Sequence, residues 1–138
     1  MTRWMLVVVI AIAVAGCGAA ASPTPFTHDV TGTLTLHNDG PVYQSATTCR
    51  GDDGYDDIDS ETLQAVAKDD KGAIVGTAGM TSTRPASAAN DQCYMSFTLK
   101  ALPDAPFYSI EVGHRGAVTY SKADLEARGW TIDLTIGS

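Results

Sequence analysis

The chain has 138 residues, with 9 Lys and Arg against 16 Asp and Glu, and a formal net charge of −7 at pH 7. This acidic balance argues against nucleic acid and anionic lipid headgroups as partners, because both attract basic surfaces. About 110 residues follow the N-terminal segment described next, which is enough for one domain with one hydrophobic core.

The N-terminus has the layout of an export signal. One arginine, Arg3, precedes an unbroken apolar run of 12 residues from Trp4 to Ala15, and small residues follow it. As a helix the run would be about 18 Å long, which is well short of the roughly 30 Å hydrocarbon core of a bilayer. We therefore predict a signal peptide over residues 1–16.

The sequence Val14-Ala15-Gly16-Cys17 resembles the bacterial lipobox, in which cleavage occurs before the cysteine and its sulfur receives a diacylglycerol. Acyl chains on Cys17 would hold the protein on a membrane, at about 0.8 kcal/mol for each buried methylene. Small residues and prolines follow, so residues 17–27 are predicted to form a lipidated cysteine with a flexible tether. We expect a lipid-anchored protein on the extracytoplasmic face of the cell membrane, with its domain over residues 28–138.

With Cys17 lipidated, two of the three cysteines remain, Cys49 and Cys93. An exported pair in an oxidising compartment is predicted to form a disulfide. A two-thiolate metal site is the alternative, but it lacks further cysteines and a histidine pair at ligand spacing.

Apolar and polar residues alternate through most of the mature chain, which is the period-2 pattern of half-buried strands. A hairpin is predicted where two such runs flank the sequence DDKG, whose Gly72 can adopt the left-handed turn conformation. The last strand is predicted to begin with an inward-facing Trp130. The predicted strand regions are residues 28–37, 62–81, 92–102, 107–112, 118–120 and 130–137.

One segment does not follow this alternation of apolar and polar residues. Ser121 suits a helix N-cap, Asp124 completes a capping box, and Gly129 suits the C-terminal stop. We predict one short helix near residues 122–128. About seven short strands with a single brief helix favour an all-β, antiparallel sandwich of immunoglobulin-like or transthyretin-like type.

Six acidic residues crowd the stretch after Cys49, and they are Asp52, Asp53, Asp56, Asp57, Asp59 and Glu61. Carboxylates at alternate positions could supply some of the oxygens that calcium needs, so a weak calcium candidate is the set Asp57, Asp59 and Glu61. The glycine and glutamate positions of an EF-hand loop are not met. A solvated acidic loop is the favoured interpretation.

Gly54, Tyr55 and Ile58 are the structural residues predicted within the same stretch. A glycine before a tyrosine indicates a tight turn, and the two apolar side chains are expected to close one open end of the sandwich.

Catalytic patterns are missing from the sequence. It contains no G-x-S-x-G, H-E-x-x-H or P-loop motif, and nothing places His28, His37 or His114 beside a nucleophile. We expect no enzymatic activity and predict no cofactor.

Several stretches together carry a resemblance to a known group. The lipobox cysteine, Cys49 with the following GYDDI, the hairpin VAKDDKGAIVG and the stretches CYMSFTL, FYSIEVGHRG and DLEARGW resemble small actinobacterial lipoproteins, of the kind abundant in mycobacteria. The resemblance implies a cell-envelope lipoprotein, and it carries no catalytic or ligand-binding residue onto this chain.

The leading functional hypothesis is a non-enzymatic, lipid-anchored module that binds an envelope protein or glycan. One alternative is a carrier of an apolar small molecule or lipid, which requires an internal cavity of several hundred cubic ångströms. The other is a calcium-stabilised adhesin that uses the acidic loop, residues 52–61.

Overall fold

The computed structural model describes residues 26–45, 47–52, 54–84 and 89–137. Cys17, the predicted signal peptide and the tether before residue 26 therefore lie outside the described residues. The described residues form ten strands and one helix, which are β1 Thr27–His37, β2 Tyr43–Gln44, β3 Cys49–Arg50, β4 Gln64–Lys68, β5 Ile74–Gly79, β6 Thr81–Ser82, β7 Gln92–Pro103, β8 Phe107–Val112, β9 Ala117–Ser121, α1 Lys122–Ala127 and β10 Thr131–Ile136. Seven strands have five or more residues, in agreement with the predicted number.

The strands form two four-stranded sheets that pack face to face. The first sheet has the order β10-β1-β7-β6 and the second has the order β5-β4-β8-β9, while β2 and β3 form a small separate ladder. The predicted all-β sandwich is thus confirmed. It is not antiparallel throughout, because β10 runs parallel to β1, with Thr31 opposite Thr131 and Leu36 opposite Ile136.

The period-2 pattern of the sequence places one face of each strand in the core. In β1 the buried side chains are Val30, Leu34 and Leu36, and in β7 they are Cys93, Met95, Phe97, Leu99 and Leu102. The second sheet contributes Ala65, Ala67, Tyr108, Ile110 and Val112 to the same cluster. Burial of each large apolar side chain contributes about 1.5–3 kcal/mol, so this shared core holds the two sheets together.

The hairpin and the helix form as their local signals predict. At the β4–β5 turn Gly72 has a φ of 78°, and the Asp69 carboxylate accepts hydrogen bonds from the backbone N–H of Lys71 and Ala73. Ser121 caps α1, since its Oγ accepts the backbone N–H of Asp124 at 3.1 Å. Within the part of the chain that is described, no helix is long and apolar enough to span a bilayer.

Trp130 packs against the core cluster, in agreement with its predicted inward orientation, but it is not the first residue of the last strand. It precedes β10, is half-buried, and has a φ of 60° directly after Gly129, whose φ is 62°. Its backbone N–H is held by the carbonyl of Leu125 at 2.7 Å, so the helix end rather than the strand sets its position. The indole stacks on His28 at 3.9 Å between ring centroids, at the start of β1, whereas the disulfide lies near the opposite end of that strand.

Candidate functional site

The cystine that the sequence predicts anchors the acidic loop. Cys49 and Cys93 form a disulfide with a Cα–Cα distance of 5.7 Å, and both residues are fully buried. The backbone of Cys49 also exchanges two hydrogen bonds with Ser60, one to its Oγ and one from its N–H, both 2.9 Å long. Both sides of the loop are therefore fixed to the end of the sandwich.

The three predicted structural residues of the loop lie in one tight turn. Gly54 has a φ of 99°, which favours glycine, and the N–H of Ile58 bonds to the carbonyl of Tyr55 at 2.8 Å. Ile58 is fully buried in the core, and the half-buried Tyr55 packs against it. The guanidinium of Arg115 lies 5.1 Å above the Tyr55 ring.

The carboxylates proposed for calcium are engaged by other groups. Asp57 accepts two hydrogen bonds from the guanidinium of Arg115, which also donates to the carbonyl of Gly54. These bonds hold the pKa of Asp57 below its usual value of 3.8. The carboxylate of this residue thus already has a cationic partner.

Asp59 is more buried than Asp57. Its carboxylate accepts the backbone N–H of Glu61 at 2.9 Å and the Nε–H of Arg50 at 2.8 Å, and the side chain is nearly buried. The backbone bond, followed by the bond from Arg50, holds the pKa of Asp59 below 3.8. Glu61 instead accepts a bond from Thr48.

Residues 57, 59 and 61 thus point to three different partners. Among residues 26–45, 47–52, 54–84 and 89–137, no three His, Cys, Asp or Glu side chains are grouped so that they could hold a metal ion. The structure does not bring the weak calcium candidate together as a site.

The three histidines are also apart. His28 and His37 lie at opposite ends of β1, and His114 lies in the turn between β8 and β9. His37 faces Gln92 at 3.0 Å, and His28 lies 3.3 Å from the Asp104 carboxylate. These contacts are structural, and the expected absence of enzymatic activity stays a prediction.

The hollow between the two sheets is small. It has a volume of about 80 Å³ and lies at the side where β9 and β10 form the free edges, with Leu34, Ile110 and Leu134 among its walls. A lipid-sized ligand needs a cavity of roughly 300 Å³ or more. The hollow of about 80 Å³ is therefore too small to hold a lipid.

The outer face of the first sheet carries an array of hydroxyl groups, which we name the hydroxyl face. Its members point away from the core and are exposed or half-buried, and they are Thr31, Thr33, Thr35, Thr81, Thr83, Tyr94, Ser96, Thr98, Thr131 and Thr135.

Strand register aligns these side chains in three rows across the sheet. The first row runs Thr131, Thr31, Thr98. The second runs Asp133, Thr33, Ser96, Thr81. The third runs Thr135, Thr35, Tyr94, Thr83, where the N–H of Thr83 bonds to the carbonyl of Tyr94 at 2.8 Å.

A groove of about 480 Å³ lies on the hydroxyl face, with Thr33, Thr35, Thr83, Arg84 and Tyr94 in its walls. The guanidinium of Arg84 donates to the side-chain oxygens of Gln44 at 3.2 Å and Asn90 at 3.1 Å. The arginine is therefore held in place at the edge of the groove.

Asp133 is the one carboxylate within the three rows, and it accepts a 2.6 Å hydrogen bond from Thr33 Oγ1. The three rows thus hold one of the 16 acidic residues, while the exposed Asp29 and Lys100 follow the first row along β1 and β7. The sequence does not show that these hydroxyl groups lie on one face, because the strands that carry them are far apart in the chain. The available signal was the repeated alternation of threonine in the first and last strands.

In comparisons with known proteins, no family model, no curated protein and no solved structure matches this chain. The resemblance to actinobacterial lipoproteins accordingly stays a prediction.

Proposed function

We propose that this protein is a non-enzymatic envelope lipoprotein, anchored to the cell membrane through Cys17, that binds a neutral glycan with its hydroxyl face. The observation that carries the proposal is the set of ten hydroxyl side chains in three cross-strand rows on one exposed sheet face. The anchor is supported by the lipobox sequence at residues 14–17.

The chemistry of the hydroxyl face matches that of a sugar. Each Ser, Thr or Tyr hydroxyl donates one hydrogen bond and accepts two, so it can pair with the hydroxyls of a glycan in either direction. Each such bond adds only about 0.5–1.5 kcal/mol, and several are needed for useful affinity. The ring of Tyr94 adds an apolar surface beside the groove.

Charge favours a neutral ligand. The acidic residues of the described chain lie mainly outside this face, whose three rows carry a single carboxylate. Apart from Tyr94 and Arg84 at the groove, the described residues of this face lack the Trp, Tyr and Arg side chains that dominate protein–protein interfaces, and this favours a glycan over an envelope protein as the partner.

Threonine is common on the exposed faces of strands, so the hydroxyl face is compared with the outward face of the second sheet. Its outward positions carry the ion pair Lys68–Glu111 and the exposed apolar residues Ile74 and Phe107 together with a few hydroxyls. An exposed sheet face of this fold therefore does not have to consist mostly of hydroxyl side chains.

The proposal is tested with the lipidated protein in detergent, on immobilised neutral glucan, mannan and galactan oligosaccharides and on polygalacturonate as an anionic probe. We expect binding to at least one neutral oligosaccharide and a weaker response to polygalacturonate. Replacing Tyr94 by alanine should reduce the affinity by about tenfold, as expected for loss of about 1.4 kcal/mol.

Thr33→Lys and Thr77→Lys form a matched pair, because both residues are exposed threonines on outward strand positions of opposite sheets. Thr33→Lys fills the centre of the hydroxyl face and can pair with Asp133, so it should keep the fold and abolish binding. Thr77→Lys should bind as the unchanged protein does. Equal binding by both variants, or no binding to any neutral probe, would overturn the proposal.

The anchor has its own test. Replacing Cys17 by serine should move the protein from the membrane fraction to the soluble fraction of the cells that express it. Retention of the Cys17→Ser variant in membranes would contradict the proposed lipid anchor.

A further inference from the structure

The two ends of the sandwich differ in their relation to the N-terminus. β1 is 11 residues long, so its ends lie about 33 Å apart. The entry end, where the chain enters the domain, comprises residues 26–29, 68–74, 100–107 and 121–130. The far end comprises residues 37–44, 48–52, 54–63, 89–92 and 113–116.

Backbone contacts tie the entry end together. Thr27 pairs with Pro103, and the N–H of Asp104 bonds to the carbonyl of Phe26 at 3.3 Å. The N–H of Lys122 bonds to the carbonyl of Pro106 at 2.9 Å, which brings the start of α1 to the same end.

Large apolar side chains are exposed at the entry end. Phe26 is 82% exposed, Ile74 is 63% exposed and Phe107 is 50% exposed. The core cluster of the described residues includes none of the three. Tyr43, at 68% exposed, is the large apolar residue that the far end presents to solvent.

The two ends of the sandwich also differ in charge. Among described residues, the entry end has five Lys and Arg side chains and six acidic ones, whereas the far end has two Lys and Arg side chains and seven acidic ones. The entry end is therefore nearly neutral, and the far end is repelled by an anionic membrane surface.

The short length of chain between Cys17 and the domain indicates that the entry end faces the bilayer. Phe26 is nine residues after Cys17, so an extended chain places the entry end at most about 32 Å from the lipidated sulfur. This step rests on the anchor in the proposed function. With it, the bilayer surface lies within reach of the exposed aromatic residues.

We propose that the entry end is seated on the bilayer surface, with Phe26 and Phe107 at the level of the lipid headgroups and Ile74 beside them. Aromatic and apolar side chains there gain burial without a spanning segment. In this orientation β1 runs away from the bilayer surface, and the acidic loop lies at the end of the domain farthest from the membrane. The hydroxyl face is then roughly perpendicular to the bilayer plane.

Trp130 is a built-in reporter of this contact. It stacks on His28 and meets the Tyr108 ring edge-on at 6.1 Å, and these residues are close neighbours of Phe26 and Phe107 in the chain. The other tryptophan of the sequence, Trp4, lies in the predicted signal peptide, so the processed protein has a single tryptophan.

The test reconstitutes the lipidated protein in phosphatidylcholine vesicles that carry nitroxide-labelled headgroups or shallow labelled acyl chains. We expect quenching of Trp130 fluorescence by both labels. The double substitution Phe26→Ser/Phe107→Ser should shift the ratio of seated to unseated protein by about tenfold or more and reduce quenching accordingly. Tyr43→Ser is the matched control and should leave quenching unchanged.

Vesicle flotation and thermal melting separate the outcomes. If the unchanged protein floats with vesicles but Trp130 is not quenched, the anchor stands and the seating is overturned. Quenching that survives in a folded double variant also overturns the seating, as does a Phe26-dependent dimer seen by crosslinking. Loss of flotation in the unchanged protein would instead refute the anchor of the proposed function.

Discussion

Gly32 lies on the inner face of β1, directly opposite Phe97 in β7. A methyl group added at Gly32 would sit 2.0 Å from the Cζ atom of the Phe97 ring, far inside contact distance. Phe97 is buried among core side chains, so the ring cannot move aside without displacing them. The substitution Gly32→Ala therefore overpacks the core immediately beneath the hydroxyl face.

Overpacking of this kind costs about 1–3 kcal/mol, and the smaller entropy of an unfolded chain with alanine returns about 0.4–1 kcal/mol. We expect a net loss of about 1–2 kcal/mol in the free energy of unfolding. For a domain of this size the melting temperature should fall by about 5–10 °C. Chemical denaturation followed by Trp130 fluorescence measures the loss directly.

Gly79→Ala is the matched control, because Gly79 is also a strand glycine but a methyl group there meets nothing within 4 Å. It should be neutral or slightly stabilising. In addition, Gly32→Ala and Phe97→Leu should be non-additive by about 1 kcal/mol, since the smaller side chain removes the clash. If Gly32→Ala is no more destabilising than Gly79→Ala, the packing of the Phe97 ring over Gly32 is refuted.

Three further predictions concern the acidic loop and its cystine. The substitutions Cys49→Ser and Cys93→Ser together should lower the free energy of unfolding by about 4 kcal/mol in urea, because the disulfide closes a loop with a sequence separation of 44; an unchanged denaturation midpoint would contradict this. Asp59 has a pKa lowered from 3.8, so its stabilisation is present above that pH and is lost as the pH falls through the folded-state pKa. Asp59→Asn should therefore flatten the fall of the melting temperature between about pH 5 and pH 2, and an unaltered pH profile would show that Asp59 does not contribute. Because the Asp57 and Asp59 carboxylates already have arginine partners, melting curves in chelator and in millimolar calcium should coincide, and a calcium-dependent rise would revive the adhesin hypothesis.

Local physics accounts for the parts of the fold that the sequence predicts. Period-2 alternation identifies the inward residues of β1 and β7, and the Ser121–Asp124 cap sets the start of α1. These features depend on residues close together in the chain, whose conformational preferences act without the rest of the fold.

Long-range partners account for what the sequence does not predict. The parallel pairing of β10 with β1 joins residues about 100 positions apart, as does the bond between Thr33 and Asp133. The hydroxyl face exists only once that pairing and its register are set, because a shift by one residue would turn the threonines inward.

Trp130 shows how a helix end can override a strand pattern. The alternation of the last strand includes it, but two successive left-handed residues, Gly129 and Trp130, turn the chain before β10 begins. Likewise the carboxylate of Asp57 is paired with Arg115, which lies 58 residues away in the chain, and no motif within the loop indicates this pairing.

The most direct test of the account is to map the bound sugar on the protein. The lipidated protein, isotope-labelled in detergent micelles, is titrated with the neutral oligosaccharide that binds best in the panel, and its backbone amide shifts are recorded. We expect the perturbed amides to cluster on the outward positions of β1, β7 and β10 and along the groove beside Tyr94. Shifts confined to the acidic loop, or shifts spread without preference over both sheets, would contradict it.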